Sequence, residues 1–454
     1  MEIHVKKTSV VRPAQQTPSH SLEMSNLDLL NAHFGQVPLV YFYRRPAVSE
    51  RSDFFDTSLL KEALSKALVA FYPLAGRLKR DENGRLHIEC NAEGVLFVEA
   101  ETSCVIDDEF GDDNFTPSLK MRQLVPSLDY SSKNISSSPL LVSQFCYLFT
   151  SNLFQVWRGL SWRWMASYIG RWNLGLNFIK SWAEITSGFS ITNPPFIDRT
   201  ILKSRTPPYP TFDHIEYHPP PELQSGALPT SMTRVELSLD RINFLKKKFK
   251  EDYGVTYSTY EILAAHVWRC VCKARGLPND QATKLYIPTN GRLRFNPPLP
   301  LGYLGNAVFI ATPIVLADDI RSKPLIYAVK IIREVLKQMD DEYLRSALAY
   351  VEKHYDDLTA LKQGAPTCKC PNLRIVSLGG MPIYDTNFGW GSPIYMGWAI
   401  VPFEGQSFIL PSPSNERILS LIICLETRHM ELFKKFFYSE GVGSMKKYYK
   451  PSAL

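Results

Sequence analysis

DTSLLKEALSKALVAFYPLAGRLKRDENGRLHIECNAEGVLFVEA, residues 56–100, changes its hydrophobic period halfway along. From Asp56 to Phe71 the apolar residues recur at helical spacing, behind an Asp suited to an N-cap. After a turn, RLHIEC and GVLFVEA within 85–100 alternate with period two, which predicts two strands paired around a short turn. The same mixture returns downstream. TRVELSL, 233–239, predicts a strand, then a helix capped by Asp240. Ser258-Thr-Tyr-Glu261 is a capping box that opens a long helix to about Arg275. KLYIPTN and NAVFIATPIVL predict further strands, and 324–339 predicts a helix. SLIICLE, 420–426, predicts a late strand before a helix over 429–438. The fold class is therefore α+β.

Between these halves the chain is rich in proline: PPF at 194–196, PPYP at 207–210 and PPP at 219–221. Proline withholds a backbone donor from helix and sheet, so this stretch reads as an extended crossover linker. The expected division is a first domain over 1–193, a linker over 194–230 and a second domain over 231–454. At 454 residues, 45% hydrophobic and 21% charged, each half can bury a core of its own. The net charge of +6 is only mildly basic: it would favour an anionic ligand, but a solvated surface with slightly more Lys than Glu accounts for it more readily. Eight Cys are present, but the closest pairs, Cys270/Cys272 and Cys368/Cys370, are separated by a single residue, and no metal signature results. Reduced thiols and a cytoplasmic setting are expected. The N-terminus has no apolar signal core. The most apolar-aromatic stretch, 140–164, carries Gln144, Asn152, Gln155, Arg158 and Arg163, which argues against a membrane span.

Several segments resemble one family in order along roughly 400 residues: SNLDL at 25–29, FYPLAGRLKRDENGRLHIECNAEGVLFVEA at 71–100, PPFIDRTILKSR at 194–205, YSTYEILAAHVWR at 257–269, ARGLPNDQATKLYIPTNGR at 274–292 and DTNFGWGSPIYMG at 385–397. The chain resembles the plant BAHD acyltransferases, and among them the hydroxycinnamoyl-CoA:shikimate/quinate hydroxycinnamoyltransferases. The resemblance implies two chloramphenicol-acetyltransferase-like domains with a channel between them. It implies acyl-CoA as co-substrate, a small-molecule alcohol as acceptor and no bound cofactor or metal. Neither nucleic acid nor membrane is an implied partner. The second His of the family's HHxxxDG motif is the general base, its Asp holds the site and its Gly permits a tight backbone.

That motif is missing here. No His stands between His87 and His214, and no Asp between Asp129 and Asp198. Where it belongs, just before LNFIKSWAEI at 176–185, the chain reads VWRGLSWRWMASYIGRW, 156–172, with four of its eight Trp. Trp has one codon, TGG, and one nucleotide later that codon always gives Gly. Shifted so, Trp157, Trp162, Trp164 and Trp172 become Gly, and Met165 before Ala166 becomes Trp. Ala166 and Ser167 can both become His, and Arg171 can become Asp. One permitted reading is FGGVSLGVGWHHTLGDG, the family motif with a glycine-rich approach. Ala166 and Ser167 thus occupy the His-His positions, and Arg171 and Trp172 the Asp-Gly positions. Ser167 cannot replace the base, because a hydroxyl takes no proton near neutral pH without a base of its own.

Two further boxes depart from the family. Asn387-Phe388-Gly389-Trp390-Gly391 stands for DFGWG, whose Asp pairs in the family with an Arg resembling Arg292. At the acceptor wall, Gln363 replaces a loop Arg, while Val376 and Leu378 replace Thr and Trp around Ser377. A shikimate carboxylate would lose its clamp, so an uncharged or aromatic alcohol is expected unless Lys362 or Arg374 serves instead. Ser258 and Thr259 are candidate coenzyme A contacts, although capping alone explains Ser258. Lys246-Lys247-Lys248 reads as a solvated helix face or a phosphate contact. His266 reads as a packed helix residue, and His214, His218 and His354 as exposed. The reading is an O-acyltransferase with its motif displaced by a frameshift. Its rivals are a catalytically dead pseudoenzyme that keeps fold and ligand binding, and transfer to an amine.

Overall fold

The computed structural model describes residues 1–30, 38–44, 55–103, 107–111, 115–126, 136–148, 154–162, 170–218, 228–355, 361, 365–412 and 418–439. The described strands of the first half are β1 (His4–Val11), β2 (His20–Glu23), β3 (Pro38–Arg44), β4 (Arg77–Arg80), β5 (Leu86–Cys90), β6 (Val95–Thr102), β7 (Leu141–Leu148) and β8 (Phe154–Trp162). Those of the second are β9 (Thr230–Ser238), β10 (Ala282–Asn290), β11 (Val308–Ala311), β12 (Ile314–Leu316), β13 (Leu373–Ser377), β14 (Tyr395–Trp398), β15 (Gln406–Pro411) and β16 (Ile418–Glu426). They form a six-stranded sheet in the order β1-β6-β7-β8-β3-β14 and a three-stranded sheet, β2-β5-β4. The third sheet runs β11-β10-β13-β15-β16-β9, with β12 also on β10.

The helix expected from Asp56 spans Thr57–Ala70, and the Asp56 carboxylate accepts from the backbone N–H of Ser58 and Leu59. The two strands that follow are present but do not pair with each other. β5 pairs with β2 and β4, while β6 pairs with β1 and β7. The connection turns the chain out of one sheet into the other, with Ala92 at φ 54° and Gly94 at φ 95°. A Cβ on Gly94 would stand 2.5 Å from the Val11 carbonyl oxygen, so the close approach of β1 requires glycine. Alternation marks a half-buried strand and does not name its partner.

In the second half the helix Thr259–Arg275 runs from the Ser258 capping box to Gly276 in the left-handed conformation. It is buried along most of its length and packs against the helices Leu325–Gln338 and Thr427–Ser439. The helix after β9 begins at Leu239, so Asp240 lies in its first turn, and the cap position is Ser238. NAVFIATPIVL forms two strands, β11 and β12, which pair with different parts of β10.

One face of the third sheet covers the core built on these helices. The other face meets the first half, in a cluster joining Tyr41, Phe55, Leu64, Phe145 and Trp182 to Val376, Phe408 and Ile422. The division expected at residue 193 is crossed by β14, which lies in the second half of the chain and pairs antiparallel with β3. The proline-rich stretch between the halves packs against the second half. Phe196 bridges to Tyr303, and His214, Glu216 and Tyr217 are buried. The aberrant segment supplies β8, between β7 and β3, and the first turn of the helix Gly170–Thr186.

Candidate functional site

Side chains along a strand alternate, so Arg374, Val376 and Leu378 share one face of β13 and its continuation, and Gln406, Phe408 and Leu410 share one face of β15. Val376 lies opposite Phe408, and both are buried where the two halves meet. Trp398, on β14, stacks on Phe408 with ring centroids 3.4 Å apart. The expected acceptor-wall residues Val376 and Leu378 therefore stand on the face between the halves. Gln363 lies outside the described residues. So do Ala166 and Ser167. Arg171 and Trp172 fall in the first turn of the helix Gly170–Thr186, with side chains outside the described residues.

The Asn387–Gly391 box works as a peg. The Trp390 ring stacks on Phe55 at 4.3 Å, and Phe388 meets Trp182 edge-on at 5.5 Å. Trp182 in turn donates through Nε1 to the Leu60 carbonyl at 2.9 Å. Asn387 caps its own turn: Oδ1 accepts from the N–H of Gly389 and Gly391, both at 2.9 Å. Arg292 is elsewhere engaged. It donates to the Gly305 carbonyl at 2.7 Å and the Tyr303 carbonyl at 3.4 Å, and burial pulls its pKa down to about 10. The pairing that the resemblance implies for an Asp at 387 is thus not made by Asn. Its oxygen instead holds two glycine N–H groups, a role that needs an acceptor and no charge.

Ser258 is held in the capping box: its hydroxyl accepts from Glu261 N–H at 3.2 Å, and its own N–H donates to the Glu261 carboxylate. Thr259 accepts at Oγ1 from the Lys246 ammonium at 2.7 Å, so one lysine of the triplet is held at this helix start. The next residue, Tyr260, donates to the Ile375 carbonyl at 3.0 Å and ties this helix start to β13, one residue before Val376. The two sets of candidate residues are therefore linked through a single strand.

His266 is buried as expected, with Nε2 against the Phe437 carbonyl at 3.1 Å. His218 is partly exposed beside Asp213, and His354 meets the Tyr350 carbonyl at 2.8 Å. His214 is the correction, because it is wholly buried. Its Nδ1 faces Glu216 at 3.0 Å and its Nε2 faces Ser346 Oγ at 2.9 Å. Ser-His-Glu is the order of a hydrolase triad, yet this serine cannot act as a nucleophile. Its Oγ already accepts from the N–H of Thr211 and Phe212 at 2.8 and 3.0 Å, and the site is closed to substrate. The cluster is a clasp that fastens 211–217 to the helix Asp341–Lys353. Sequence reasoning missed it because the serine lies 132 residues from the histidine.

A crevice of about 540 Å³ beside Glu23, Arg85, Arg199 and Lys203 holds none of the expected site residues. Two of its cations are held in ion pairs, Lys203 with Glu23 at 2.7 Å and Arg199 with Asp28 at 2.9 Å, and Arg85 donates to Asn26 Oδ1 at 2.9 Å. Among the described residues no group of His, Cys, Asp or Glu could hold a metal, and no helix is long and apolar enough to cross a membrane.

The model of the Transferase family matches residues 1–440. A shikimate O-hydroxycinnamoyltransferase of Nicotiana tabacum is 51% identical, over 96% of this chain and 100% of that protein. A hydroxycinnamoyltransferase of Narcissus pseudonarcissus is 45% identical over the same shares. Among solved structures, TRI101 of F. graminearum complexed with coenzyme A and T-2 mycotoxin superposes with a TM-score of 0.75 at 14% identity, over 92% of this chain and 97% of that one. The shared fold is the two-domain, α+β acyltransferase fold.

Proposed function

The chain belongs to the Transferase family, the plant BAHD acyltransferases, and on that footing we propose that its gene encodes a hydroxycinnamoyl-CoA-dependent O-acyltransferase whose HHxxxDG motif lies one nucleotide out of frame under residues 156–172. The observation that carries this reading is a coincidence of register. The forced glycines, the forced Trp and the permitted His-His-x-x-x-Asp-Gly fall together, at the place where an otherwise familial chain departs. Accidental freedom at third codon positions supplies single matches, not an ordered set.

In the restored frame, the His at position 167 takes the proton of the acceptor hydroxyl. The oxygen attacks the thioester carbonyl, and donors nearby hold the oxyanion. The carbon–sulfur bond then breaks, and the thiolate of coenzyme A recovers the proton from the imidazolium. No acyl-enzyme forms. The anionic coenzyme fits the positive net charge and the lysine-bearing helix start at Thr259. In the chain as it stands, Ser167 supplies no base, and loss of a general base costs about 10²–10⁴ in rate.

The transcript across codons 140–176 tests the reading. CAT at both shifted positions 166 and 167 is expected, and a sequence that cannot yield them overturns it. At the protein level, the chain as it stands should give no transfer from p-coumaroyl-CoA to a panel of alcohols, while the frame-restored chain should turn over. Turnover by the former would point to another base. A transcript faithful to Ala166 and Ser167, in a protein that still binds acyl-CoA, would favour the pseudoenzyme.

A further inference from the structure

The crevice of about 540 Å³ beside Glu23, Arg85, Arg199 and Lys203 is built by both halves of the chain. β2 and Arg85 belong to the first half, Arg199 and Lys203 to the proline-rich stretch, and Leu348 and Glu352 to the helix Asp341–Lys353 of the second. Clefts between packed units are where small ligands preferentially bind. Donors and acceptors are unevenly used here. Among the described residues, each acid of the crevice already meets a donor of the chain. Glu23 meets Lys203, Asp198 meets the N–H and hydroxyl of Thr200, and Glu352 meets the Asn26 amide. A guanidinium carries five N–H donors, and the two in this crevice are only partly engaged. The Arg199 side chain, 9% exposed, donates from Nη1 to Asp28, and its Nε has no partner. Arg85 donates from Nη2 to the Met24 carbonyl and Asn26 Oδ1, and lies 4.7 Å over the Tyr355 ring. Both cations therefore lean on one short segment, 24–28. Leu22, Tyr72, Ile197 and Leu348 give the same crevice an apolar side.

We infer that this crevice is a second binding site, apart from the acceptor wall, for an organic carboxylate with an apolar body. The guanidinium groups receive the planar, two-oxygen anion, and the apolar side takes the hydrocarbon. Glu23 shows where such an anion sits, because it is the chain's own carboxylate on the rim. Lys203, and Arg85 after it, hold the Glu23 carboxyl below its ordinary pKa. The Lys203 and Glu23 side chains are 59% and 67% exposed, and an ion pair so exposed holds weakly. A ligand carboxylate therefore displaces Glu23 and takes over Lys203. A neighbouring crevice of about 610 Å³ shares Glu23, Arg85 and Lys203, which leaves room for the displaced side chain. Because the walls come from both halves, an occupant fastens the halves together. Neither Val376 and Leu378 nor Ser258 and Thr259 line the crevice, so the inference goes beyond the acyltransferase reading and does not depend on it.

The test reads binding, so the chain as it stands, full length, is sufficient. It is titrated calorimetrically with 3-phenylpropanoate, with the neutral methyl ester of that acid and with inorganic phosphate. The acid should bind about tenfold or more tighter than the ester, and Arg85→Met should erase that gap while leaving ester binding unchanged. Glu23→Gln should act the other way and tighten acid binding, because it removes the tethered rival for Lys203. A merely structural ion pair would give no such gain. Glu23 is exposed, so this variant keeps the test alive if Arg85→Met does not fold. Equal binding of acid and ester overturns the inference. A gap that neither variant moves places the carboxylate elsewhere on the chain and overturns it too. Phosphate bound as tightly as the acid would remove the apolar body from the ligand and overturn the assigned class. Failure of acyl transfer by the frame-restored chain would count against the proposed function alone.

Discussion

Replacing Ser346 by Ala removes one hydroxyl and strands three groups at once. His214 Nε2 loses its partner at 2.9 Å, and the Thr211 and Phe212 N–H groups lose an acceptor at 2.8 and 3.0 Å. A polar group left unsatisfied in the interior costs about 1–3 kcal/mol. The two N–H groups sit in a partly buried setting, so the low end applies to them, and the total is about 3 kcal/mol. If the second half of the chain, roughly 220 residues, melts as a unit at about 2.1 cal/mol/K per residue, the midpoint falls by about 6 °C. Differential scanning calorimetry of Ser346→Ala, His214→Ala and the double variant gives the assay. Because both side chains act through one network, the double variant should lose less than the sum of the singles, by about 0.5–3 kcal/mol. A single-variant loss under about 0.5 kcal/mol, the range of an ordinary surface change, would refute the clasp, as would strict additivity.

Glu404→Gln should cost about 3–5 kcal/mol in denaturant titration, because it leaves the buried Arg275 guanidinium without the carboxylate that meets it at 2.6 Å. Gly405→Ala should yield little folded protein by soluble-expression and circular-dichroism assays: φ is 75°, and the new Cβ would stand 1.8 Å from the Cys368 carbonyl oxygen. Asn387→Asp should stay within about 0.5 kcal/mol of the parent by calorimetry and Asn387→Ala should lose about 1 kcal/mol, since only the latter deletes the acceptor of Gly389 and Gly391 N–H. Burial pushes the thiols of Cys90, Cys272 and Cys424 up to about 11, 12 and 11 from an ordinary 9.0. The folded state thus favours the neutral thiol, and this stability is intact below pH 9 and lost as pH rises toward 12. Unfolding midpoints measured from pH 8 upward should fall along that window, and a flat profile would contradict it.

Local features were legible in the sequence. The helix Thr259–Arg275 carries its own boundaries in Ser258, Glu261 and Gly276, whose side chains and backbone act within a few residues. Partnership was not legible. Period-two alternation located β5 and β6, but their placement in different sheets depends on β1 and β2, some 70–90 residues earlier. His214 looked exposed because its surroundings are polar and proline-rich, while its partner Ser346 comes from a helix far down the chain. The absence of HHxxxDG could be read directly from the residues before Leu176, whereas the row of Tyr286, Arg374 and Gln406 appears only when strands distant in sequence are set side by side.

The pairing of β14 with β3 also bears on how the chain is made. Tyr395 meets Phe42, so one flank of β3 stays open while about 350 further residues are synthesised. At a translation rate of 5–20 residues per second, that interval is roughly 20–70 s. For that time the nascent first half presents an unfinished edge of Leu39, Val40, Tyr41 and Phe42, a row able to recruit any other strand in reach. A truncated product ending at the proline-rich stretch would carry the same open edge permanently. Expression of such a fragment should therefore demand chaperone cover that the full-length chain, once released, no longer needs.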